Sequence, residues 1–269
     1  MKRDKFIAIV GLPRSGTTLL TALLDRHSKL SLYYEPFNAS KEERPPVPQD
    51  LSEFRAWMAQ RFDTEAASPA ATTGFKETTT NRDTTAWAVN TANSLARTCD
   101  VQVVWIQRDP VHCLLSKLEG AKKWWGYPDA HFSRESLEEF LIDTETSYEV
   151  LGELVRDHDG CVVRYEALTA NPGKTTAELM NTLGEPYEPS QLDYVDDLQR
   201  NKVMGDPGLI ENPSPVANDA TLARAREAEQ YQELIDDAFD DPRFKSLIAQ
   251  FARYAALPAV STLQGPLEP

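Results

Sequence analysis

Apolar residues in this chain fall into short continuous runs, separated by longer stretches in which they recur every three or four positions. The runs at 6–10 and 101–106 are typical of strands that are covered on both faces of a sheet. A shorter run at 161–163 has the same character, and residues 31–34 and 73–76 predict a further short strand and a strand end. The pattern therefore predicts a sheet built from short, buried strands.

Helical spacing of apolar residues fills most of the stretches between these strands. The leucines of residues 17–27 form one such stripe, and Asn171 followed by Pro172 is typical of a capped helix start. Because strands and helices alternate, the predicted fold class is α/β, with a parallel sheet flanked by helices. We expect one domain over residues 1–257 and a frayed tail over 258–269. Further helices are predicted at 54–62, 84–96, 110–118, 137–155, 220–238 and 242–256.

The composition favours a soluble protein whose partners are not polyanions. The 269 residues carry a formal net charge of −14, which argues against broad binding to nucleic acid or to an anionic membrane. The N-terminal apolar run is too short for a signal peptide, and no stretch approaches the roughly 20 apolar residues of a membrane span. Three cysteines without metal-binding spacing predict reduced, buried thiols. We therefore expect a cytoplasmic protein without a metal site.

The segment at 11–18, GLPRSGTT, follows the first predicted strand and opens the first predicted helix. This order aims backbone N–H groups and a helix N-terminus at one point, which suits a phosphate group. Gly11 and Gly16 have the spacing found in nucleotide triphosphatases, but Thr17 stands where those proteins have a lysine. The nearest cation is Arg14, inside the loop. The segment therefore predicts a site for a phosphate-like group that is not a triphosphate.

Polar residues also lie near the ends of the other predicted strands. Glu35, Lys76, Arg108 and Arg164 each come at or just after the carboxyl end of one of them. Ligands of parallel sheets bind beyond these carboxyl ends. We therefore expect the four side chains and the loop at 11–18 to gather at one edge of the sheet.

Two segments give the chain a resemblance to a known enzyme family. The octet at 11–18 resembles the 5′-phosphosulfate loop of the sulfotransferases that use 3′-phosphoadenosine 5′-phosphosulfate (PAPS). Residues 104–110, with Ser116 eight residues after Arg108, resemble the 3′-phosphate motif of the same family. The segment at 33–37 is similar to one in the carbohydrate-type and tyrosylprotein-type branches. Weaker similarities to the family lie at 163–168 and 205–207.

The resemblance implies a P-loop NTPase-like sulfotransferase fold. It implies transfer of the sulfuryl group of PAPS to an acceptor hydroxyl or amine, with release of 3′,5′-ADP and without a metal. Arg14 is then expected to neutralise charge on the bridging oxygen of the donor. Arg108 and Ser116 are expected to bind the 3′-phosphate, the arginine through a charged fork and the serine through its hydroxyl. The residues implied at the 5′-phosphate are Ser15, Gly16, Thr17 and Thr18.

The resemblance also implies which groups react. In the branches with a similar segment at 33–37 the glutamate is the base, so Glu35 is expected to take the acceptor proton. Lys76 resembles the lysine that supports the transferring sulfuryl group in the tyrosylprotein branch. Tyr165 is expected to contact the nucleotide, and Arg200 and Lys202 are expected to close over the 3′-phosphate.

Other interpretations stay open from the sequence alone. A P-loop kinase would carry a metal-binding aspartate at the end of the strand at 101–106, where Asp109 is a weak candidate. A non-catalytic nucleotide-binding module on the same fold is the other alternative. Arg164 either contacts the nucleotide or forms a structural ion pair, and the aromatic residues at 124–132 are either packing or an acceptor wall. The acceptor can be a small molecule, a carbohydrate or a peptide, and the oligomeric state is open.

Overall fold

The computed structural model describes residues 3–37, 46–62, 72–79, 81–123, 134–194 and 229–263. The strands are β1 (Lys5–Gly11), β2 (Leu30–Tyr34), β3 (Thr72–Thr78), β4 (Asp100–Gln107), β5 (Cys161–Arg164) and β6 (Val260–Thr262). The helices are α1 (Thr17–Asp25), α2 (Leu51–Phe62), α3 (Arg82–Leu95), α4 (Pro110–Lys123), α5 (Arg134–Asp157), α6 (Tyr165–Ala170), α7 (Pro172–Thr182), α8 (Glu229–Asp240) and α9 (Pro242–Ala255), with a 3-10 turn at Pro189–Leu192.

The six strands form one sheet in the order β2-β3-β1-β4-β5-β6. The first five strands of this order are mutually parallel, and β6 pairs with β5 in the antiparallel direction. The sheet is flanked by helices on both faces, so the predicted α/β class is confirmed. Because β1 lies in the middle, the loop that follows it opens at the centre of the carboxyl edge.

Each face of the sheet is covered by its own apolar core. Alternate residues of a strand point to opposite faces, so Phe6 and Val103 belong to one core while Ile7 and Val104 belong to the other. The second core also contains residues of α1, α6 and α7, and we call this side the α1 face. The opposite face is covered by α2, α3, α4, α5, α8 and α9. Burial on both faces explains why the strands read as continuous apolar runs.

Side-chain caps fix several helix starts that the sequence predicted. The Asn171 carboxamide oxygen accepts a hydrogen bond from the Lys174 N–H (3.3 Å), and Pro172 is the first residue of α7. Asp241 likewise accepts from the Arg243 N–H (2.8 Å) at the start of α9. These caps satisfy N–H groups that have no partner inside the helix.

The frayed tail predicted from residue 258 is wrong for the part of it that the structure describes. Val260–Thr262 form β6 and pair with β5, and the Arg164 N–H donates to the Ala259 carbonyl (3.1 Å). The outer edge of β5 carries backbone groups that need partners, and the C-terminal segment supplies them. A strand of three residues is too short to give a periodic signal in the sequence.

Several sequence predictions fall outside the described residues. They are the loop at 199–219, the aromatic residues at 124–132 and the first part of the helix predicted at 220–238. All three cysteines are described, and each is buried and free of a disulfide. Within the described ranges, no helix has the length and apolar character that a membrane crossing requires.

Candidate active site

In the loop after β1, two residues have left-handed backbone conformations before α1 begins at Thr17. Arg14 has φ 69° and Gly16 has φ 96°, and the Ser15 N–H donates to the Leu12 carbonyl (3.1 Å). The turns bring the chain back so that the first N–H groups of α1 face the carboxyl edge of the sheet. Those groups have no partner inside the helix, and the helix dipole favours an anion beside them.

Close packing explains the glycines of this loop. A Cβ atom on Gly16 would lie 2.3 Å from Cδ2 of Tyr165, and one on Gly11 would lie 2.6 Å from Oγ of Ser15. Both distances are too short for any side chain. The loop therefore passes close to the start of α6. Tyr165, which the sequence associated with the nucleotide, packs against the loop at Gly16.

Arg14, Arg108 and Ser116 meet although they are far apart in the sequence. Nε of Arg14 donates to Oγ of Ser116 on α4 (3.1 Å), and Nη1 of Arg108 donates to the backbone carbonyl of Arg14 (2.8 Å). The Arg108 guanidinium also lies over the Tyr165 ring, 4.4 Å from its centroid. The structure therefore brings together the loop at 11–18 and the segment that resembles the 3′-phosphate motif. We call the group formed by this loop, Arg108, Ser116 and Tyr165 the Arg108 cradle.

Two buried polar atoms in this cradle have no hydrogen-bond partner among the described residues. They are Oγ of Ser15 and Nε of Arg108. A buried donor without a partner costs about 1–3 kcal/mol. Both atoms can donate a hydrogen bond, and Arg108 also carries a positive charge, so an anionic ligand is chemically suited to them.

Asp109 has a structural role at the start of α4. One oxygen of its carboxylate accepts a hydrogen bond from the Val111 N–H (2.8 Å), and the backbone N–H of Asp109 donates to Oε1 of Glu166 (3.0 Å). The carboxylate thus caps a helix, although the kinase interpretation needed it as a metal ligand. Among the described residues there is no group of three or more His, Cys, Asp or Glu side chains arranged to hold a metal ion.

Glu35 and Lys76 form an ion pair on the same edge. Lys76 is fully buried, and its ammonium donates to Oε1 of Glu35. The Thr78 hydroxyl donates to the same carboxylate oxygen (3.3 Å), and the Glu35 N–H donates to the Lys76 carbonyl (2.7 Å). Glu35 itself has φ 45°, in the left-handed region. Because β3 continues two residues beyond Lys76, both Lys76 and Thr78 reach the Glu35 carboxylate.

The Glu35–Lys76 ion pair and the loop at 11–18 lie on the same face of the sheet. Lys76 is paired in register with Ile9 and Thr78 with Gly11, so both side chains point to the α1 face. Arg108 lies two residues after Ile106, which belongs to the core of the α1 face. The alternation of side chains along the chain therefore directs Arg108 to the same face. The N-terminus of α1, the ion pair and the Arg108 cradle therefore lie on one face at the carboxyl edge of the sheet.

Glu77 is a site residue that the sequence analysis missed. It is fully buried, and its carboxyl group accepts from the Phe37 N–H (3.1 Å) and from the Thr78 N–H (3.2 Å). Burial raises the pKa of Glu77 to about 8, and the charge of Glu35 adds to this. The signal in the sequence was a glutamate beside the candidate lysine, inside a strand whose other residues are buried.

The remaining predicted residues divide into two groups. Arg200, Lys202 and the segment at 205–207 lie outside the described residues. Arg164 is described, and its Nη1 donates to the Ala255 carbonyl at the end of α9 (2.8 Å). This contact is with a backbone carbonyl and is not the ion pair that one interpretation of Arg164 predicted, while contact with the nucleotide stays a prediction.

Comparison with solved structures gives the fold independent support. The sulfotransferase domain of the Synechococcus PCC 7002 olefin synthase superimposes with a TM-score of 0.54 at 15% identity, over 93% of this chain and 95% of that one. The sulfotransferase domain of the curacin biosynthetic pathway gives 0.53 and 15%, over 94% and 99%. Mouse sulfotransferase SULT7A1, in complex with PAP, gives 0.55 and 13%, over 94% and 90%. At these identities the likeness shows a shared P-loop-like fold.

The sequence comparisons identify the family. No curated protein matches the chain. The family model described as "Sulfotransferase family" matches residues 7–189, which include most of β1, all of β2 to β5, the loop at 11–18, the ion pair and the Arg108 cradle. This match covers more than half of the chain, and the chain therefore belongs to the sulfotransferase family.

Proposed function

We propose that this protein transfers the sulfuryl group of PAPS to an acceptor hydroxyl or amine and releases 3′,5′-ADP. The observation that carries the proposal is the contact between the two phosphate motifs. Arg14 of the loop at 11–18 donates to Ser116, and Arg108 donates to the Arg14 carbonyl, across about a hundred residues of sequence. A donor with phosphate groups at both the 5′ and 3′ positions needs two such sites held at a fixed separation.

The proposed binding roles follow from the charges and donors of the cradle. The N–H groups of residues 16–18 hold the 5′-phosphate at the N-terminus of α1, with the hydroxyls of Ser15, Thr17 and Thr18 beside them, while the Ser15 N–H stays bonded to the Leu12 carbonyl. Arg108 and Ser116 bind the 3′-phosphate, and Tyr165 supports the arginine by stacking under its guanidinium. The mouse protein of similar fold was solved in complex with PAP, which supports a nucleotide of this kind as the ligand. Arg200 and Lys202 remain proposed contacts of the 3′-phosphate.

The proposed chemistry places Glu35 at the acceptor and Lys76 at the sulfuryl group. A bond forms between the acceptor oxygen or nitrogen and sulfur, and the bond between sulfur and the 5′-phosphate oxygen breaks. The electron pair of that bond leaves on the phosphate oxygen, where Arg14 offsets the developing charge. The acceptor proton passes to the Glu35 carboxylate. The Lys76 ammonium, already fixed beside Glu35, lies where charge moves during the transfer.

The acceptor is proposed only as a class. A small molecule, a carbohydrate or a peptide fits a site whose reacting groups are one carboxylate and one ammonium. The net charge of −14 disfavours polyanionic acceptors, including nucleic acid. We also keep the cytoplasm as the proposed location.

A P-loop kinase is not favoured. Such an enzyme needs a lysine at the position of Thr17 and a free metal-binding carboxylate after β4. The chain has threonine in the first position, and the carboxylate of Asp109 caps α4.

Isothermal titration with 3′,5′-ADP and, separately, with ATP and magnesium tests the proposal. We expect tight binding of 3′,5′-ADP without a metal and weak binding of ATP. Arg108→Ala should lower the affinity for 3′,5′-ADP by about 10- to 150-fold, as loss of a charged hydrogen bond predicts. Arg134→Ala, which removes an exposed arginine on α5, is the control and should leave the affinity unchanged.

The same titration separates binding from chemistry. Glu35→Gln should keep the affinity for 3′,5′-ADP and abolish sulfuryl transfer from labelled PAPS. Preference of the wild-type protein for ATP and magnesium would overturn the proposed function.

A further inference from the structure

The backbone corner at residues 35–37, which follows β2, is held by three consecutive residues of β3. The Lys76 carbonyl accepts from the Glu35 N–H, and the Lys76 ammonium pairs with the Glu35 carboxylate. The Thr78 hydroxyl donates to the same carboxylate. Between them, the Glu77 carboxyl group accepts from the Phe37 N–H. The corner that carries the proposed base is therefore bonded to every residue of a three-residue segment.

These contacts reach the corner from both faces of the sheet. Lys76 and Thr78 point to the α1 face, so Glu77 points to the opposite face. Phe37 lies on that opposite side, where its ring stacks on Trp87 of α3 (centroids 5.3 Å apart, planes at 16°). The hydrogen bond from Phe37 to Glu77 thus fixes the backbone end of the corner, while Lys76 and Thr78 fix the Glu35 side chain.

The conformation of the corner makes this support necessary. Glu35 has φ 45°, which is unfavourable for a residue with a side chain and persists only where the surroundings impose it. Pro36 follows directly and restricts the backbone of Glu35 further. If the Phe37 N–H lost its acceptor, Glu35 would be free to relax toward an ordinary backbone conformation, and its carboxylate would move.

We propose that Glu77 is a positioning residue, which holds the Phe37 N–H and thereby keeps the Glu35 carboxylate aimed at the acceptor. The inference rests on the proposed function, in which Glu35 is the base. Glu77 does not contact the acceptor or the donor in this account. Its effect on catalysis passes through the backbone of residues 35–37.

The charge state of Glu77 agrees with this role. Burial raises its pKa to about 8, so the carboxyl group is largely protonated at neutral pH. The charges that act on it come from Glu35, at the corner, and from Lys76, on its own strand. A largely neutral Glu77 holds the Phe37 N–H through its length and its acceptor oxygen, so the position of that oxygen matters more than the charge of the group.

Three substitutions separate reach from charge. Glu77→Gln keeps the side-chain length and an acceptor oxygen for the Phe37 N–H. Glu77→Asp keeps the carboxyl group but withdraws it by one methylene, and Glu77→Ala removes the acceptor. We expect kcat for sulfuryl transfer to fall about 100-fold in Glu77→Ala, because displacement of the base by about 1 Å costs that much. Glu77→Asp should lose nearly as much, and Glu77→Gln less than 10-fold.

Two further readouts distinguish positioning from general damage. The affinity for 3′,5′-ADP should stay within 2-fold of wild type in all three variants. Amide hydrogen exchange of the peptide covering residues 33–37 should accelerate in Glu77→Ala and Glu77→Asp but not in Glu77→Gln. The control is Glu188→Ala, because Glu188 accepts from the Ser28 N–H (2.9 Å) before the start of β2, at the other edge of the sheet. This variant should lose stability and keep kcat.

The outcomes are distinct. If the wild-type protein transfers sulfuryl groups and Glu77→Ala is equally active, or the exchange of residues 33–37 is unchanged, the positioning role is overturned. Better retention of kcat by Glu77→Asp than by Glu77→Gln would also overturn it, because charge would then matter more than reach. If Glu77→Ala does not fold, the comparison of kcat between Glu77→Gln and Glu77→Asp decides whether the positioning role holds. A wild-type protein that neither binds 3′,5′-ADP nor transfers sulfuryl groups overturns the proposed function itself.

Discussion

The candidate site depends on backbone conformations that few residues adopt. In the described part of the chain, three residues other than glycine have a positive φ, and two of them are Arg14 and Glu35. Gly16, with φ 96°, lies between the loop and α1. Such conformations cost of order 1–3 kcal/mol each and concentrate where function requires them. Arg14 and Glu35 both lie at the carboxyl edge of the sheet, so the unfavourable backbone conformations are concentrated in the candidate site.

Gly16→Ala tests this view of the loop. The left-handed backbone costs a residue with a Cβ about 1–2 kcal/mol, and the new methyl group would also overlap the Tyr165 ring. We expect the free energy of unfolding to fall by at least about 1 kcal/mol. The affinity for 3′,5′-ADP should fall by about tenfold or more, because Tyr165 must move from under Arg108. Denaturant unfolding and calorimetric titration measure the two effects.

The matched control is Gly152→Ala, within α5. There a Cβ would meet its nearest neighbour, the Tyr254 hydroxyl, at 3.5 Å, which is an ordinary contact. Alanine is the better helix former, so this variant should be as stable as wild type or slightly more stable. If Gly16→Ala were equally well tolerated, the loop would not have the close packing described above.

At the scale of elements, the strands with long apolar runs and the helices with clear stripes were predictable. The sequence predicted α1 and β4 because each buries a continuous set of side chains, and it predicted α7 and α9 because Asn171 and Asp241 cap them. It missed β6, whose three residues carry no periodicity, and α6, which is only six residues long. It also missed Glu77, because the contact of that carboxyl group with the Phe37 N–H depends on how β2 and β3 pair.

Deletion of β6 should therefore cost more than removal of an ordinary tail. A chain that ends at residue 257 loses the pairing with β5 and also Leu263, which is 8% exposed in the core. Burial of a leucine contributes about 1.5–3 kcal/mol, so we expect the free energy of unfolding to fall by about 3 kcal/mol and the exposed β5 edge to promote aggregation. A chain that ends at residue 263 is the control. Equal stability of the two truncated proteins would show that β6 adds nothing.

At the scale of the whole molecule, acidic residues determine how stability depends on pH. The pKa values of Glu138 and Asp241 are lowered by Arg243, and that of Glu188 by its hydrogen bonds from Ser28. The stability that these carboxyl groups contribute is fully present above their pKa values in the unfolded chain. It is lost as the pH falls through their lower pKa values in the folded protein. Half-buried His158, whose pKa is lowered by burial, also destabilises the fold on the acid side. Buried Cys113 and Cys161, with pKa values raised to about 12, affect only the alkaline range.

Glu77 acts in the opposite direction to Glu138, Asp241 and Glu188. Its pKa is raised from 4.5 to about 8, so between these values the folded protein holds a proton that the unfolded chain has released. Stability therefore declines as the pH rises from about 5 to about 8, since the folded state binds more protons. Together with the acid-side losses, this predicts a maximum of stability below neutral pH, near pH 5.

Glu77→Gln should flatten the decline between pH 5 and pH 8 and move the maximum toward neutrality, because the amide does not titrate. Denaturant unfolding at pH values from 4 to 9 measures the curve for both proteins. Glu188→Gln is the control, since it should weaken the acid limb and leave the slope above pH 5 unchanged. A wild-type protein whose stability rises steadily from pH 5 to pH 8 would contradict the buried, protonated state of Glu77. The carboxyl group that titrates is the one that accepts from the Phe37 N–H, so the stability curve reports on the same hydrogen-bonded corner as the kinetic variants.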